Sequence, residues 1–434
     1  MITQRSVSKK IVLQIGALLA GSGFLGMSSI TSHAAGFEKS VLWSAHWSAL
    51  GGAASSSVSG PEALYFNPAG LPQQQGTQFS INATGTMDKI TAPATGNNTA
   101  VDSKTRYFVP VGALISHSID PKWGVGVGFY TAGGTRSEYE NLNLGSFTLK
   151  PTLKGDLTLN EIAVGTGYEV LEGLKIGAAY RVLLASADLQ YGGGTAAAAV
   201  QYNLNGMTAT RYTGLKLGAQ YTPKDARYGL GAVWRNSVEF TMKTDQSSAL
   251  LNTANAIGTV TTLTGTAASA TNALPMNFSV GGYYDITPNE WRVLGEYTFT
   301  KYQDNQKLNI TGSAAGIGNY PEIEQHWTNM SNIRVGTEYK GFEDWALRAG
   351  YVWTSQVTPK SHAAPLFSAP GTGNTIILGA GKPLMHGLTL DGALEYSWAK
   401  GTVAAADVPA TSTTKTGDYS TKAYAAYLSL KYSM

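Results

Sequence analysis

The lengths of the connections between its apolar segments constrain this chain most strongly. Short connections fall at residues 119–122, 172–173, 223–226, 287–289, 340–343 and 382–387. Long polar connections fall at residues 89–103, 132–154, 191–209, 243–275, 304–325, 357–371 and 401–418. Short and long connections alternate strictly, which is typical of an up-and-down β-barrel with tight turns at one end and long loops at the other. The segments between them number about fourteen, and bacterial barrels of this kind have an even number of strands.

The segments between these connections alternate apolar and polar residues, as strands do. In residues 388–398 one face is apolar and the other carries Asp391 and Glu395. This pattern alone fits a soluble sandwich as well as a membrane barrel. Aromatic residues bracket the short turns, with Trp123, Trp291 and Trp345 after a turn and Tyr168, Tyr221, Tyr284 and Tyr339 before one. Aromatic residues at one height form the girdle of a membrane interface. We therefore predict an all-β fold, a transmembrane antiparallel up-and-down barrel of about fourteen strands.

The amino terminus has the layout of a secretory signal. Arg5, Lys9 and Lys10 form a positive region, residues 11–25 are apolar, and residues 32–34 offer a small-residue cleavage site before Ala35. The chain has no Cys, which excludes a disulfide framework and a thiolate metal site. Only 14% of its residues are charged, which suits a barrel with an apolar exterior. We predict a signal peptide at 1–34, an N-terminal plug (hatch) at 35–75 and the barrel at 76–434.

The stretch from residue 35 to 71 is irregular and rich in small residues. It ends in Asn67-Pro68-Ala69-Gly70, where Pro68 fixes φ and Gly70 permits a tight turn. Such a segment cannot face lipid, but it can lie in a barrel lumen whose walls satisfy its backbone. With Gly36-Phe37 near its start and residues 51–54 (GGAA) in its middle, it resembles the N-terminal plug of the outer-membrane long-chain fatty acid transporter (FadL-like) family, which also imports aromatic hydrocarbons.

That resemblance implies a route for a hydrophobic substrate. In the family, a groove formed by the third and fourth long loops catches the substrate, a pocket near the plug's N-terminus holds it, and a kink in the third strand releases it sideways. The third strand here carries Gly124, Gly126, Gly128, Gly133 and Gly134. These glycines permit a bulge, or they only make room for the plug. By resemblance, Gly36, Phe37 and residues 67–70 are the plug and gate residues, with residues 67–69 facing the wall opening, and we expect Asn67 to contact the strand near Gly126.

Two loop segments are apolar for a surface that faces water. Residues 196–200, ending in Val200, are apolar and capable of forming a helix. In the next long loop Leu250, Leu251, Ile257 and Leu263 are spaced roughly as one helical face. An exposed apolar face marks a binding groove, or the two loops simply pack on each other.

The residue types of an enzyme are present but scattered. The six His residues show no pair at metal-ligand spacing, and no nucleophile, base and orienting group converge on one rim. We therefore expect no catalytic residue, no metal and no cofactor. Charges on the inward face should form a network that holds the plug, or one of them should bind a ligand carboxylate: Arg181, Lys216, Arg235, Glu239, Arg292, Glu296, Arg334, Glu338, Arg348, Asp391, Glu395 and Lys431.

Together these features predict an outer-membrane transporter for hydrophobic small molecules such as long-chain fatty acids. A general porin for small polar solutes and a structural or adhesive surface barrel are the alternatives. The expected partners are the hydrophobic ligand, outer-membrane lipid and lipopolysaccharide, and the barrel-assembly machinery. We expect no nucleic-acid partner, because the chain has no basic run, and we expect a monomer.

Overall fold

The computed structural model describes residues 36, 43–95, 99–225, 227–385 and 387–434. Twenty-four strands lie in this part of the chain. The first twelve are β1 Thr77–Pro93, β2 Ala100–Asp102, β3 Arg106–Phe108, β4 Val111–Asp120, β5 Trp123–Tyr139, β6 Leu153–Leu171, β7 Leu174–Gly194, β8 Ala198–Tyr221, β9 Tyr228–Arg235, β10 Val238–Thr244, β11 Ser247–Thr253 and β12 Thr261–Thr264. The others are β13 Ala268–Leu274, β14 Asn277–Thr287, β15 Trp291–Thr300, β16 Lys307–Thr311, β17 Ser313–Ala314, β18 Gly318–Asn319, β19 Ile323–Glu324, β20 Met330–Phe342, β21 Trp345–Thr354, β22 Gly373–Met385, β23 Leu388–Val403 and β24 Gly417–Ser433.

Short helices supplement the strands. The α-helices are α1 Ala45–Ala49 and α2 Ala63–Phe66. The 3₁₀ turns are Gly60–Glu62, Pro68–Gly70, Ala254–Ala256, Tyr302–Asp304, Lys360–His362 and Ala405–Asp407. Among the described residues, none of the helices is long and apolar enough to cross a bilayer.

Antiparallel pairing closes the strands into a ring. The order is β1, β4, β5, β6, β7, β8, β9, β14, β15, β20, β21, β22, β23 and β24, and β24 pairs back with β1 from Gln78↔Ser433 to Thr91↔Ser420. At two positions in this ring the strand is interrupted by a short break. Strand β9 continues outward as β10, and β13 leads into β14. The prediction of an up-and-down barrel of about fourteen strands is confirmed.

The two faces of each barrel strand differ as a membrane requires. Along β24 every second residue is buried in the lumen, while Tyr424, Leu428 and Leu430 point outward. At the end with the short turns, Trp123 pairs with Tyr168 and Trp291 with Tyr339. Both indoles are exposed on the outside, as a membrane-interface girdle needs.

The third and fourth long loops are β-structure and were wrongly predicted to be loop and helix. Strands β7 and β8 run on past the barrel to a tight turn at residues 195–197. Strand β11 then pairs with β8, Leu251 lying opposite Val200, and β12 pairs with β11. The free outer edge of β8 offers main-chain partners to the whole of β11. A helix containing Asn252, Thr253 and Gly258 is intrinsically weak, so edge pairing prevails.

The segment 43–75, which we call the plug, lies inside the ring, and glycines of the wall let its backbone come close. A side chain at any of these positions would overlap plug atoms: Gly124, Gly165, Gly167, Gly177, Gly218, Gly231, Gly336, Gly350 and Gly379. They belong to eight different strands, so they form a band around the plug. This band accounts for part of the high glycine content, 51 residues in all.

Inward polar side chains satisfy the plug's main-chain groups. Glu296 accepts from the Ser55 amide at 2.9 Å, and Gln220 donates to the Ser55 and Val58 carbonyls at 3.0 and 3.1 Å. The Ala45 amide donates to the Ser429 hydroxyl at 2.7 Å. An irregular segment can lie in a barrel only when its polar groups are paired in this way.

Candidate functional site

An apolar cavity lies in the end of the barrel that carries the long loops. It holds about 680 Å³ of empty space, a figure that includes the part open to solvent. Leu157, Leu189, Met207, Phe240 and Met242 line it from neighbouring strands. These side chains are buried and belong to one hydrophobic cluster. The lumen of a membrane barrel is normally polar, so an apolar cavity at this position is suited to binding hydrophobic molecules.

The segments beyond β15 and β21 close the other side of this cavity. The Trp327 ring packs edge-on against Tyr302 at 5.5 Å and against Phe367 at 5.4 Å between centroids. Gly36 also lines the cavity, and its backbone lies so close to the Tyr302 ring that a side chain there would overlap it. The thioethers of Met207 and Met242 adapt to ligands of different shape, as Met side chains do.

A second chamber, with a polar lining, lies farther along the same strands. On β6, residues 155–157 line the apolar cavity and Glu161 lines the chamber. On β5, Thr135 lines the apolar cavity and Ala132 lines the chamber. The chamber therefore lies nearer the end with the short turns. It holds about 780 Å³, including open space, and the plug residues Tyr65 and Phe66 form part of its lining.

The chamber lining carries three cations and two anions. The cations are Lys216, Arg235 and Arg334, and the anions are Glu161 and Glu296. Glu161 is ion-paired with Arg181, and Arg334 lies 3.9 Å from Glu296. Three positive charges less two negative ones leave one positive charge in excess among the lining residues. This balance suits a ligand with an acidic or polar end.

The barrel wall is interrupted along one edge of β5. The β4–β5 ladder runs from Asp120↔Trp123 to Ala113↔Phe129 and ends there. Contact resumes only where the Lys104 amide donates to the Glu138 carbonyl at 2.8 Å. Within the described part of the chain, residues 130–137 thus have no strand partner on this edge, although β6 pairs with the other edge. We call this stretch the wall window.

Strand β5 bends into the lumen at the wall window. Its register with β6 shifts between Thr131 and Gly133, which makes Ala132 a β-bulge. Residues 130–134 are all buried, in place of the alternation of the preceding residues. Because Ala132 also lines the polar chamber, the wall window lies directly beside that chamber.

The model of the outer membrane protein transport protein family (OMPP1/FadL/TodX) matches residues 26–434. The chain belongs to this family. No curated protein matches its sequence at a significant level.

Solved structures of FadL and TodX relatives have the same fold. A Pseudomonas aeruginosa FadL homologue has 15% identity, a TM-score of 0.73 and coverage of 92% of this chain and 99% of its own. The Pseudomonas putida toluene transporter TodX has 17% identity, a TM-score of 0.74 and coverage of 92% and 99%. The Ralstonia pickettii toluene transporter TbuX has 16% identity, a TM-score of 0.59 and coverage of 86% and 93%.

The FadL-like plug motif packs on a different strand from the one we expected. Asn67 is fully buried and donates to the Ser55 carbonyl at 2.6 Å and the Ala219 carbonyl at 3.0 Å. Its own oxygen accepts from the Ala69 amide at 3.1 Å. Asn67 is therefore held against β8, and the expected contact with Gly126 is wrong. Pro68 and Ala69 lie close to glycines of β6 and β7. Gly70 lies close to the Val58 backbone within the plug.

The glycines of β5 divide into two groups. Side chains at Gly124 and Gly126 would meet Leu71, and one at Gly128 would meet Leu114, so these glycines make room for the plug and for neighbouring strand residues. Gly133 and Gly134 directly follow the bulge of the wall window. The sequence alone left both interpretations open, and each applies to a different part of the strand.

The predicted groove residues lie on the β-extension outside the apolar cavity. Val200, Leu250 and Leu251 are half-buried in the β8–β11 pairing, and Ile257 is exposed beyond it. Leu263 packs against the hydrophobic cluster that surrounds the cavity. Phe37, Ala35 and the signal peptide lie outside the described residues.

Sequence reasoning missed the residues that line the apolar cavity. On β10, Phe240 and Met242 line the cavity at every second position and Glu239 is exposed, so the prediction that Glu239 faces inward is wrong. The available signal was this period of two, with apolar residues where a polar lumen is the rule. The described residues contain no cluster of three or more His, Asp or Glu able to hold a metal.

Proposed function

We propose that this member of the FadL/TodX transport family takes up hydrophobic small molecules through the apolar cavity and releases them sideways through the wall window. The observation that carries the proposal is the apolar cavity itself, since a water-filled lumen has no need of one. The bulge at Ala132 and the missing pairing of residues 130–137 support the sideways release.

We further propose that the preferred substrate is a long-chain fatty acid or a related lipophilic acid. The cavity offers apolar surface for a chain, and the chamber next to it has one positive charge in excess. TodX and TbuX are described as toluene transporters, and a hydrocarbon would require only the apolar cavity. The cations of the chamber favour an acid, because a charge-assisted contact with a carboxylate is stronger than one with a neutral group.

The test is uptake into reconstituted vesicles, with palmitate and hexadecane offered separately. Met242→Trp should fill the cavity and lower uptake of both by about tenfold, because the added ring occupies the substrate's space. Lys243→Trp is the matched control, since the neighbouring side chain is exposed and faces away. Wild-type protein should prefer palmitate. Uptake by Met242→Trp equal to that by Lys243→Trp would contradict passage through this cavity.

The alternatives predict different behaviour in the same vesicles. A general porin would conduct ions steadily and pass small sugars, whereas a barrel filled by residues 43–75 should be nearly closed to both. A structural or adhesive barrel would transport neither palmitate nor hexadecane.

We propose that residues 1–34 direct export and are removed, that 35–75 act as the plug of the barrel 76–434, and that the barrel-assembly machinery inserts the monomer. Membership of the family implies the Gram-negative outer membrane, where lipopolysaccharide and lipid surround the barrel. Outward residues such as Ile333, Val335 and Leu378 are suited to that contact.

A further inference from the structure

The plug residue Trp43 fills the wall window from the inside. Its indole Nε1 donates to the Thr131 carbonyl at 2.6 Å, next to the bulge of β5. On the opposite side the indole lies against Gly112, where any side chain would overlap it. Gly112 precedes Ala113, the last residue of β4 that pairs with β5. The ring therefore occupies the place where the wall ladder stops.

The indole is enclosed by aromatic and aliphatic side chains. Its ring lies 6.1 Å from that of Tyr130, edge-on, and 6.2 Å from that of Tyr65. Leu64 and Leu114 complete the same buried cluster, and Trp43 keeps only 2% of its surface exposed. An aromatic pocket with one hydrogen-bond acceptor is therefore built into the wall, and a side chain of the plug occupies it.

The backbone next to Trp43 is strained. Ser44 has a φ of 61°, a left-handed conformation that a residue other than glycine adopts at a cost. The plug becomes regular only after it, at helix α1 Ala45–Ala49. Ser44 also caps α1, since its hydroxyl accepts from the Trp47 amide at 3.4 Å, so the strained residue joins the indole directly to the first turn of the plug.

We propose that Trp43 is the gate residue of the wall window and that its pocket is a substrate subsite for a flat or aliphatic hydrophobic group. The inference rests on the proposed sideways release. The indole and the substrate occupy the same space, so substrate that leaves the polar chamber must displace the indole from the Thr131 carbonyl. The gate thus opens only when the substrate takes over the apolar contacts that the indole gives up.

Thiol labelling tests the gate without any need for transport. The chain has no Cys, so Ala132→Cys places a single thiol at the buried bulge. N-phenylmaleimide dissolved in the bilayer should label it slowly while Trp43 is present. Adding Trp43→Ala should raise the labelling rate about tenfold or more, because the filled window becomes a cavity. Free indole should slow labelling again, since an engineered apolar cavity binds a ring of matching size.

Trp47→Ala is the matched control. Trp47 is also a buried plug indole, but it donates to Glu62 at 3.1 Å and packs in another cluster. This variant should label at the parental rate. If Trp43→Ala fails to give a heat-modifiable barrel, Trp43→Phe keeps a ring, loses the bond to Thr131, and should show an intermediate rate.

Equal labelling in the Trp43 and Trp47 variants, or an unchanged rate in Trp43→Phe when Trp43→Ala does not fold, would overturn the gate. The failure of the proposed function would look different. In that case the wild-type protein would take up neither palmitate nor hexadecane, whatever the labelling rates.

Discussion

At the scale of single residues, side chains of the wall fix the position of the plug. Asn67 binds two carbonyl groups, one from the plug and one from β8, and so joins the two parts of the molecule. His46 on α1 plays a comparable part near β20 and β21, with its Nε2 at 3.7 Å from Glu338 and the Arg348 guanidinium close by. The charges of Asp391 and Lys431 also affect the pKa of this imidazole, which Asp391 raises and Lys431 lowers.

Protonation of His46 should weaken plug docking in acid. Burial, assisted by Arg348, lowers the pKa of His46 to about 4, whereas an unburied His titrates near 6.5. In a released plug, His46 would therefore bind a proton near pH 6.5, whereas in the docked plug it binds one only near pH 4. Docking should be constant above pH 6.5 and weaken as the pH falls toward 4. The protease resistance of the plug, followed against pH, measures this.

His46→Gln should flatten that pH profile, because glutamine does not titrate in this range. His117→Gln is the control, since His117 lies on the exposed face of β4 and bonds to Thr77. A His46→Gln profile with the wild-type slope would show that other groups control docking.

At the scale of elements, the glycine band couples wall strands to plug turns. Gly177→Val on β7 should dislodge the plug, because the new side chain would overlap the backbone of Pro68 and Ala69. Single-channel conductance should rise from nearly closed to porin-like. Gly392→Val on β23 is the control, since a Cβ there meets its nearest neighbour, the Tyr427 carbonyl oxygen, only at 3.8 Å. Equal conductance in both variants would mean that the band does not hold the plug.

Local chemistry decided which elements could be predicted. The six tight turns lie within a few residues of their predicted positions, because turn residues and flanking aromatics act over short distances. The β8–β11 pairing was missed, since it depends on which strand edge is left free by the ring. The partner of Asn67 was missed for a related reason. A motif in a lumen can face any of fourteen strands, and its sequence does not say which.

At the scale of the whole molecule, the barrel and the plug together enclose a series of spaces for the substrate. The apolar cavity lies toward the long loops, the polar chamber follows it, and the wall window lies beside the chamber. The cavity lining comes from strands far apart in sequence, such as β6 and β10, whose inward faces meet only in the closed ring. This is why the period of two in β10 indicates an apolar inward face but not what that face encloses.

The most direct test of the account is a crystal structure with a long-chain fatty acid that carries bromine at the end of its alkyl chain. We predict an anomalous bromine signal inside the apolar cavity, among Met207, Phe240 and Trp327, with the carboxylate directed toward the cations of the polar chamber. Bromine found only on the lipid-facing wall, or only along the β8–β11 extension near Leu251, would contradict the account.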